Sequence, residues 1–163
     1  MPKARRSAGI LLYRRRTAAL EVFLVHPGGP FWTKRDEGAW SIPKGEFPDD
    51  EDPLEAALRE FEEETGTSLA GRPRADFTAL PPVRQAAGKT VYAWAAAGDL
   101  DADAVRSNPF TMEWPPRSGL QREFPEVDRA AWYGMEAARV QLLVAQRPLL
   151  DALEALLRDA PGG

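Results

Sequence analysis

The chain has 163 residues, 44% apolar and 28% charged, with a net charge of −4 and no cysteine. That length suits one domain spanning residues 1–163, with a core over about 5–158. The charge gives no general pull towards a nucleic acid polymer, and the missing cysteine excludes disulfides and thiolate sites and agrees with a cytoplasmic address.

Residues 7–13 and 20–26 are apolar runs of strand length joined by a polar turn over 14–19, so a hairpin entering a buried sheet is expected. The first run is interrupted at Gly9 and followed by Arg14, Arg15 and Arg16. It is too short for a secretory signal, and no 18-residue apolar span occurs anywhere, so no membrane helix is expected. The arginine triplet suits either phosphate binding or a solvated turn. His26, the one histidine, precedes Pro27-Gly28-Gly29-Pro30, a loop able to line a pocket. It reads either as a proton donor or as a polar strand end. An aromatic and charged loop over 31–39 then leads through Trp40, Ser41, Ile42, Pro43 and Lys44 to Gly45.

Next comes a helix. Asp49, Asp50 and Asp52 are candidate caps, Pro53 suits a first turn, and Gly66 suits the C-terminal cap. Leu54, Leu58, Phe61 and Thr65 form a mostly apolar stripe that should face a core. Glu60, Glu63 and Glu64 share another face, and like charges at that spacing cost about 0.2–0.5 kcal/mol per pair. Such crowding fits either a solvated acidic face or a hard divalent cation, which takes carboxylate oxygens and leaves positions for water and phosphate.

Beyond the helix, short strands are expected at 77–80 and 90–97, with Pro81-Pro82 and a turn over 86–89 between them. Residues 108–119, rich in proline and aromatics, read as a long functional loop. Phe110, Trp114 and Arg117 are candidates there to stack on a base and pair with a phosphate, or simply to pin the loop. Glu123 and Glu126 precede a strand carrying Trp132. From Met135 two helical segments follow, parted at Arg147-Pro148, with leucines at 149, 150, 153, 156 and 157. That leucine face packs on the sheet or serves a homodimer.

The spacing Gly45, Glu51, Arg59-Glu60, Phe61, Glu63-Glu64, Gly66 resembles the Nudix hydrolase signature at every charged and glycine position. Thr67 departs from it, standing where the family has an aliphatic residue. The resemblance implies an α/β fold, the Nudix α/β/α sandwich with a mixed sheet. It implies a magnesium-dependent hydrolase, with manganese as substitute, that cleaves a phosphoanhydride in a small nucleoside diphosphate-linked compound. On that reading Glu60, Glu63 and Glu64 bind metal, joined by the Lys44 carbonyl and by Glu126 or Glu123. Arg59 orients a carboxylate such as Glu51, and Glu60 or the extra glutamate activates water. Trp40 before Pro-Lys-Gly resembles the diadenosine polyphosphate hydrolase branch, which makes Trp40 and Lys44 candidates for substrate contact beside Trp114 and Arg117. Nucleoside triphosphates, ADP-ribose (through Pro82) and a non-catalytic nucleotide-binding module are the alternatives.

Overall fold

The computed structural model describes residues 5–159. The chain opens with β1 (Arg6–Arg16) and β2 (Ala19–Pro27), followed by β3 (Lys44–Glu46) and α1 (Pro53–Thr65). Then come β4 (Thr78–Ala79), β5 (Val83–Arg84), β6 (Thr90–Ala97), β7 (Pro109–Glu113), β8 (Gln121–Pro125) and β9 (Val127–Gly134). Helices α2 (Met135–Gln141) and α3 (Arg147–Asp159) close it. One seven-stranded sheet runs β4-β6-β1-β2-β9, with β3 also on β1 and β5 also on β6. Only β1 and β6 pair in parallel, so the sheet is mixed.

The period-2 geometry of strands sorts the apolar run of β1 onto both faces. Ile10 and Leu12 join Phe23, Leu54 and Phe61 in the core beneath α1. Leu11 joins Val22, Leu142, Leu149, Leu150 and Leu153 beneath α2 and α3. Each face of the sheet thus carries a helical layer, which is the expected sandwich. Leu149, Leu150 and Leu153 are fully buried in that layer.

Two expectations change. The polar turn after β1 closes to Thr17 and Ala18, both at positive φ (47° and 68°), while the strands run on through the arginines. Arg14 can lie along the strand because Glu21 (2.8 Å) and Asp99 (2.6 Å) pair with it and the Trp132 ring lies 4.0 Å away. The stretch read as a long loop is half strand: β7 pairs with β8 as a separate two-stranded ribbon, Pro109 opposite Pro125 and Phe110 opposite Phe124. Its prolines sit at the ends of the ribbon, where a missing N–H costs little.

Candidate active site

Helix α1 is set by its caps. Asp52 Oδ2 accepts from the Glu55 N–H at 3.1 Å, Pro53 opens the first turn, and Gly66 at φ 79° ends the last. Phe61 and Thr65 point into the sheet, which turns Glu60, Glu63 and Glu64 towards β3 and the start of β9. Those three line a cavity of about 430 Å³ together with Lys44, Gly45, Phe110 and Glu126.

Gly45 is required by close approach: a Cβ there would stand 2.1 Å from the Glu60 carboxyl carbon. Gly45→Ala is therefore expected to push Glu60 out of place and lower kcat by about 10²-fold while the circular dichroism spectrum stays native. Arg59 grips Glu51 with both arms of its fork, Nη2 at 2.9 Å and Nε at 3.0 Å, and spends Nη1 on Glu60 (2.9 Å) and Glu63 (3.2 Å). Lysine cannot reproduce that fork. Arg59→Lys should cost roughly 10–100-fold in kcat with little change in KM, as steady-state kinetics will read.

Glu126 is brought in by backbone. Its N–H donates to the Asn108 carbonyl (3.0 Å), and the Asn108 N–H donates to the Glu63 carbonyl (2.8 Å). The Gly28 N–H meets the Glu126 carbonyl at 2.9 Å. Ser107 steadies the join, its hydroxyl lying 3.0 Å from the Val127 N–H and 3.2 Å from the Val127 carbonyl.

The site is short of positive charge. Burial raises the Glu64 carboxyl to about 8, although the Lys44 N–H donates to its Oε1 at 3.2 Å. Glu60 and Glu126 are raised too, first by burial and then by the charge of Glu63. Burial in turn lowers Lys44, as does nearby Lys89. Glu51 moves the other way, held below the usual carboxylate range by Arg59. Among the described residues no three acidic or histidine side chains already converge at metal-holding distance. The donor set nevertheless fits a hard divalent cation, being all oxygen, under-compensated and open to a cavity.

A second cavity, of about 300 Å³, shares Pro27, Lys44, Glu64 and Glu126 with the first. Val25, Ile42, Val127 and Leu143 give it apolar walls, Trp32 an aromatic one, and Ser41 and Gln85 polar groups. A hollow of about 550 Å³ lies elsewhere, beside Arg14, Arg16, Asp99 and Trp132, and its Arg14 is already paired with Glu21 and Asp99.

Several candidates stand apart from both cavities. Trp40 is 2% exposed, donates from Nε1 to Asp36 at 2.9 Å and packs edge-on against Tyr133, so it is a core residue. It packs in the core with Leu11, Ile42 and Leu142, and Trp32 lines the pocket instead. Glu123 is exposed on β8 opposite Thr111, which leaves Glu126 as the glutamate at the site. Trp114 leaves β7 to stack edge-on with Phe31, and Arg117 turns at φ 62° in the tip of the ribbon. Of the three ribbon candidates, Phe110 reaches the acidic cavity. His26 is fully buried, with Nδ1 2.7 Å from Asp128 and Nε2 2.6 Å from the Arg35 carbonyl, so neither nitrogen is left for a substrate. Sequence reasoning missed Trp32, Gln85, Ser107 and Asn108, whose roles depend on contacts that no spacing rule reveals.

The fold is similar to that of C. elegans Ap4A hydrolase in a binary complex, at TM-score 0.66 and 22% identity over 96% of this chain and 99% of that one. It is also similar to the NUDIX domain of Shewanella oneidensis NrtR in complex with ADP ribose, at TM-score 0.65 and 18% identity over 96% and 90%. In sequence, the mRNA-decapping protein g5R of African swine fever virus is 35% identical over 107 residues, 61% of this chain. The match spans only 39% of that curated relative's length. The NUDIX domain family model matches residues 3–153. With nearly the whole chain inside that match, the protein belongs to the NUDIX domain family.

Proposed function

We propose that the protein is a magnesium-dependent hydrolase of dinucleoside polyphosphates, cleaving a phosphoanhydride of the bridge. The observation that carries this reading is the gathering of Glu60, Glu63, Glu64 and Glu126 around an open cavity that adjoins a smaller one walled by Val25, Ile42, Trp32, Val127 and Leu143. A polyphosphate suits the first and a nucleoside the second. The fold shared with C. elegans Ap4A hydrolase supports the same substrate class.

Glu60, Glu63, Glu64, Glu126 and the Lys44 carbonyl would hold the cation, with manganese as a substitute. A bound divalent ion supplies charge neutralisation and a more acidic water. The chain's own groups do the rest. Arg59 holds Glu60 and Glu63 in position. Lys44, partly buried beside Glu64, offers an ammonium to a phosphate oxygen. The water's proton passes to Glu60 or Glu126, whose proton affinity burial raises towards that of a working base.

The test is a panel of dinucleoside polyphosphates, nucleoside triphosphates, ADP-ribose and capped RNA, incubated with magnesium or with EDTA and read by product mass. Dinucleoside polyphosphates should turn over fastest, and only with magnesium. Turnover of none of them sinks the enzyme reading in favour of a nucleotide-binding module. Faster turnover of another class overturns the substrate.

A further inference from the structure

We infer that the 300 Å³ cavity is a nucleobase pocket in which the Gln85 side-chain amide donates to a base carbonyl, so that 6-oxopurine nucleotides are favoured over adenine ones. This rests on the nucleotide reading above and goes beyond it by naming the base.

The argument begins with a group that has no choice. The Ile42 backbone N–H can only donate, and it meets the Gln146 side-chain oxygen at 3.1 Å. Gln146 is fully buried, so this bond fixes which way its amide faces. Its Nε2 then donates to Ser41 Oγ at 3.0 Å and to Gln85 Oε1 at 3.0 Å. The Ser41 hydroxyl hydrogen is spent on the Ile42 carbonyl at 2.7 Å, which leaves its oxygen free to accept. Orientation is thereby passed from backbone to Gln146 and from Gln146 to Gln85. Turning Gln85 around would set two NH₂ groups against each other beside a buried residue, leaving Gln146 with Ser41 as its one acceptor and the facing N–H groups unpaired.

Gln85 is held at its root as well, its N–H donating to the Lys89 carbonyl at 2.7 Å. Its oxygen is taken and its Nε2 has no protein partner among the described residues, while the side chain lines the cavity. This residue therefore has its whole NH₂ group left to donate, its oxygen being directed at Gln146. Where a purine presents its C6 substituent to that amide, a hypoxanthine or guanine O6 satisfies it, whereas an adenine amino group meets it donor to donor. Trp32 and the apolar walls supply the surface against which a planar ring lies.

Inosine and adenosine monophosphates differ at this edge in the C6 oxygen or amine and in N1, which carries a hydrogen in hypoxanthine and none in adenine, and their dissociation constants from the whole protein can be measured by calorimetry without any turnover. Inosine monophosphate should bind at least about tenfold more tightly. Gln85→Glu, which turns the donor into an acceptor, should invert the ratio, and Gln85→Leu should bring it within about twofold of one. Gln146→Leu should relax the ratio although Gln85 is still present, a result that a merely structural role for Gln146 would not give. Equal affinities in the wild type, a ratio that Gln85→Glu leaves unmoved, or binding of neither nucleotide would overturn the proposal. Selective binding without hydrolysis of any panel substrate would instead remove the enzyme reading and leave this one standing.

Discussion

Glu64→Gln is expected to lower kcat by on the order of 10³-fold, about 4 kcal/mol of transition-state stabilisation, while the metal-free protein melts no lower than wild type at pH 8. The two halves have one cause. Glu64 is raised to about 8 because its carboxylate is buried with too little opposing charge, so the anion is present for the sake of chemistry and against the interest of folding. Glutamine keeps an oxygen where Oε1 accepts from the Lys44 N–H at 3.2 Å, and it removes the charge. Steady-state kinetics with magnesium and scanning calorimetry in EDTA read the two effects separately. A variant that keeps its rate, or one that loses rate and melting temperature together, would show that Glu64 is structural.

The second large effect is on pH dependence. The folded Glu64 keeps its proton up to about pH 8, whereas in the unfolded chain it releases it near the ordinary glutamate value of 4.5. Between those values the folded state binds the extra proton, so stability is full below about pH 4.5 and is lost as pH rises through about 8. Glu60 and Glu126, also raised, act with the same sign. Glu51 is lowered by Arg59 and acts oppositely, losing its contribution only as acid protonates it. The metal-free protein should therefore be most stable in mild acid and lose on the order of 4 kcal/mol by pH 8, a fall of roughly 10 °C in Tm for a chain of this size. Magnesium competes with that proton, so its stabilisation should be larger at pH 8 than at pH 6. Thermal melts in EDTA and in magnesium across this range measure both slopes. A Tm in EDTA that rises from pH 6 to pH 8 would contradict the assignment of charge.

What could be read from the sequence was whatever repeats locally. The caps and stripe of α1, the strand at 90–97, the two closing helical segments and the spacing of Glu60, Glu63 and Glu64 all follow from neighbours within a few turns. Arg59 with Glu51 belongs with them, since eight helical and loop residues fix that pairing. Trp40, Trp114 and Arg117 misled because an aromatic or cationic side chain near a glycine turn says nothing about which side of the backbone it takes. The ribbon of β7 and β8 was hidden by its prolines. Glu126 and Glu123 are both candidates in the sequence, and the place of Glu126 depends on Asn108 and Gly28, which are remote in sequence and act through peptide groups. Gln85 and Gln146 are 61 residues apart and could not have been joined by pattern.

The segment that brings Glu126 to α1 has one more consequence. Arg106 and Asn108 make that join through main-chain atoms, the Arg106 N–H on the Thr65 carbonyl at 2.9 Å and Asn108 on both Glu63 and Glu126. Their letters are therefore interchangeable so far as this tether is concerned, and only its ruler matters. One residue more or fewer would present the wrong peptide to each partner and swing the remote carboxylate out of the cluster, so drift in this family should rewrite positions 106 and 108 freely, keep a hydroxyl between them for Val127, and seldom lengthen or shorten the tether.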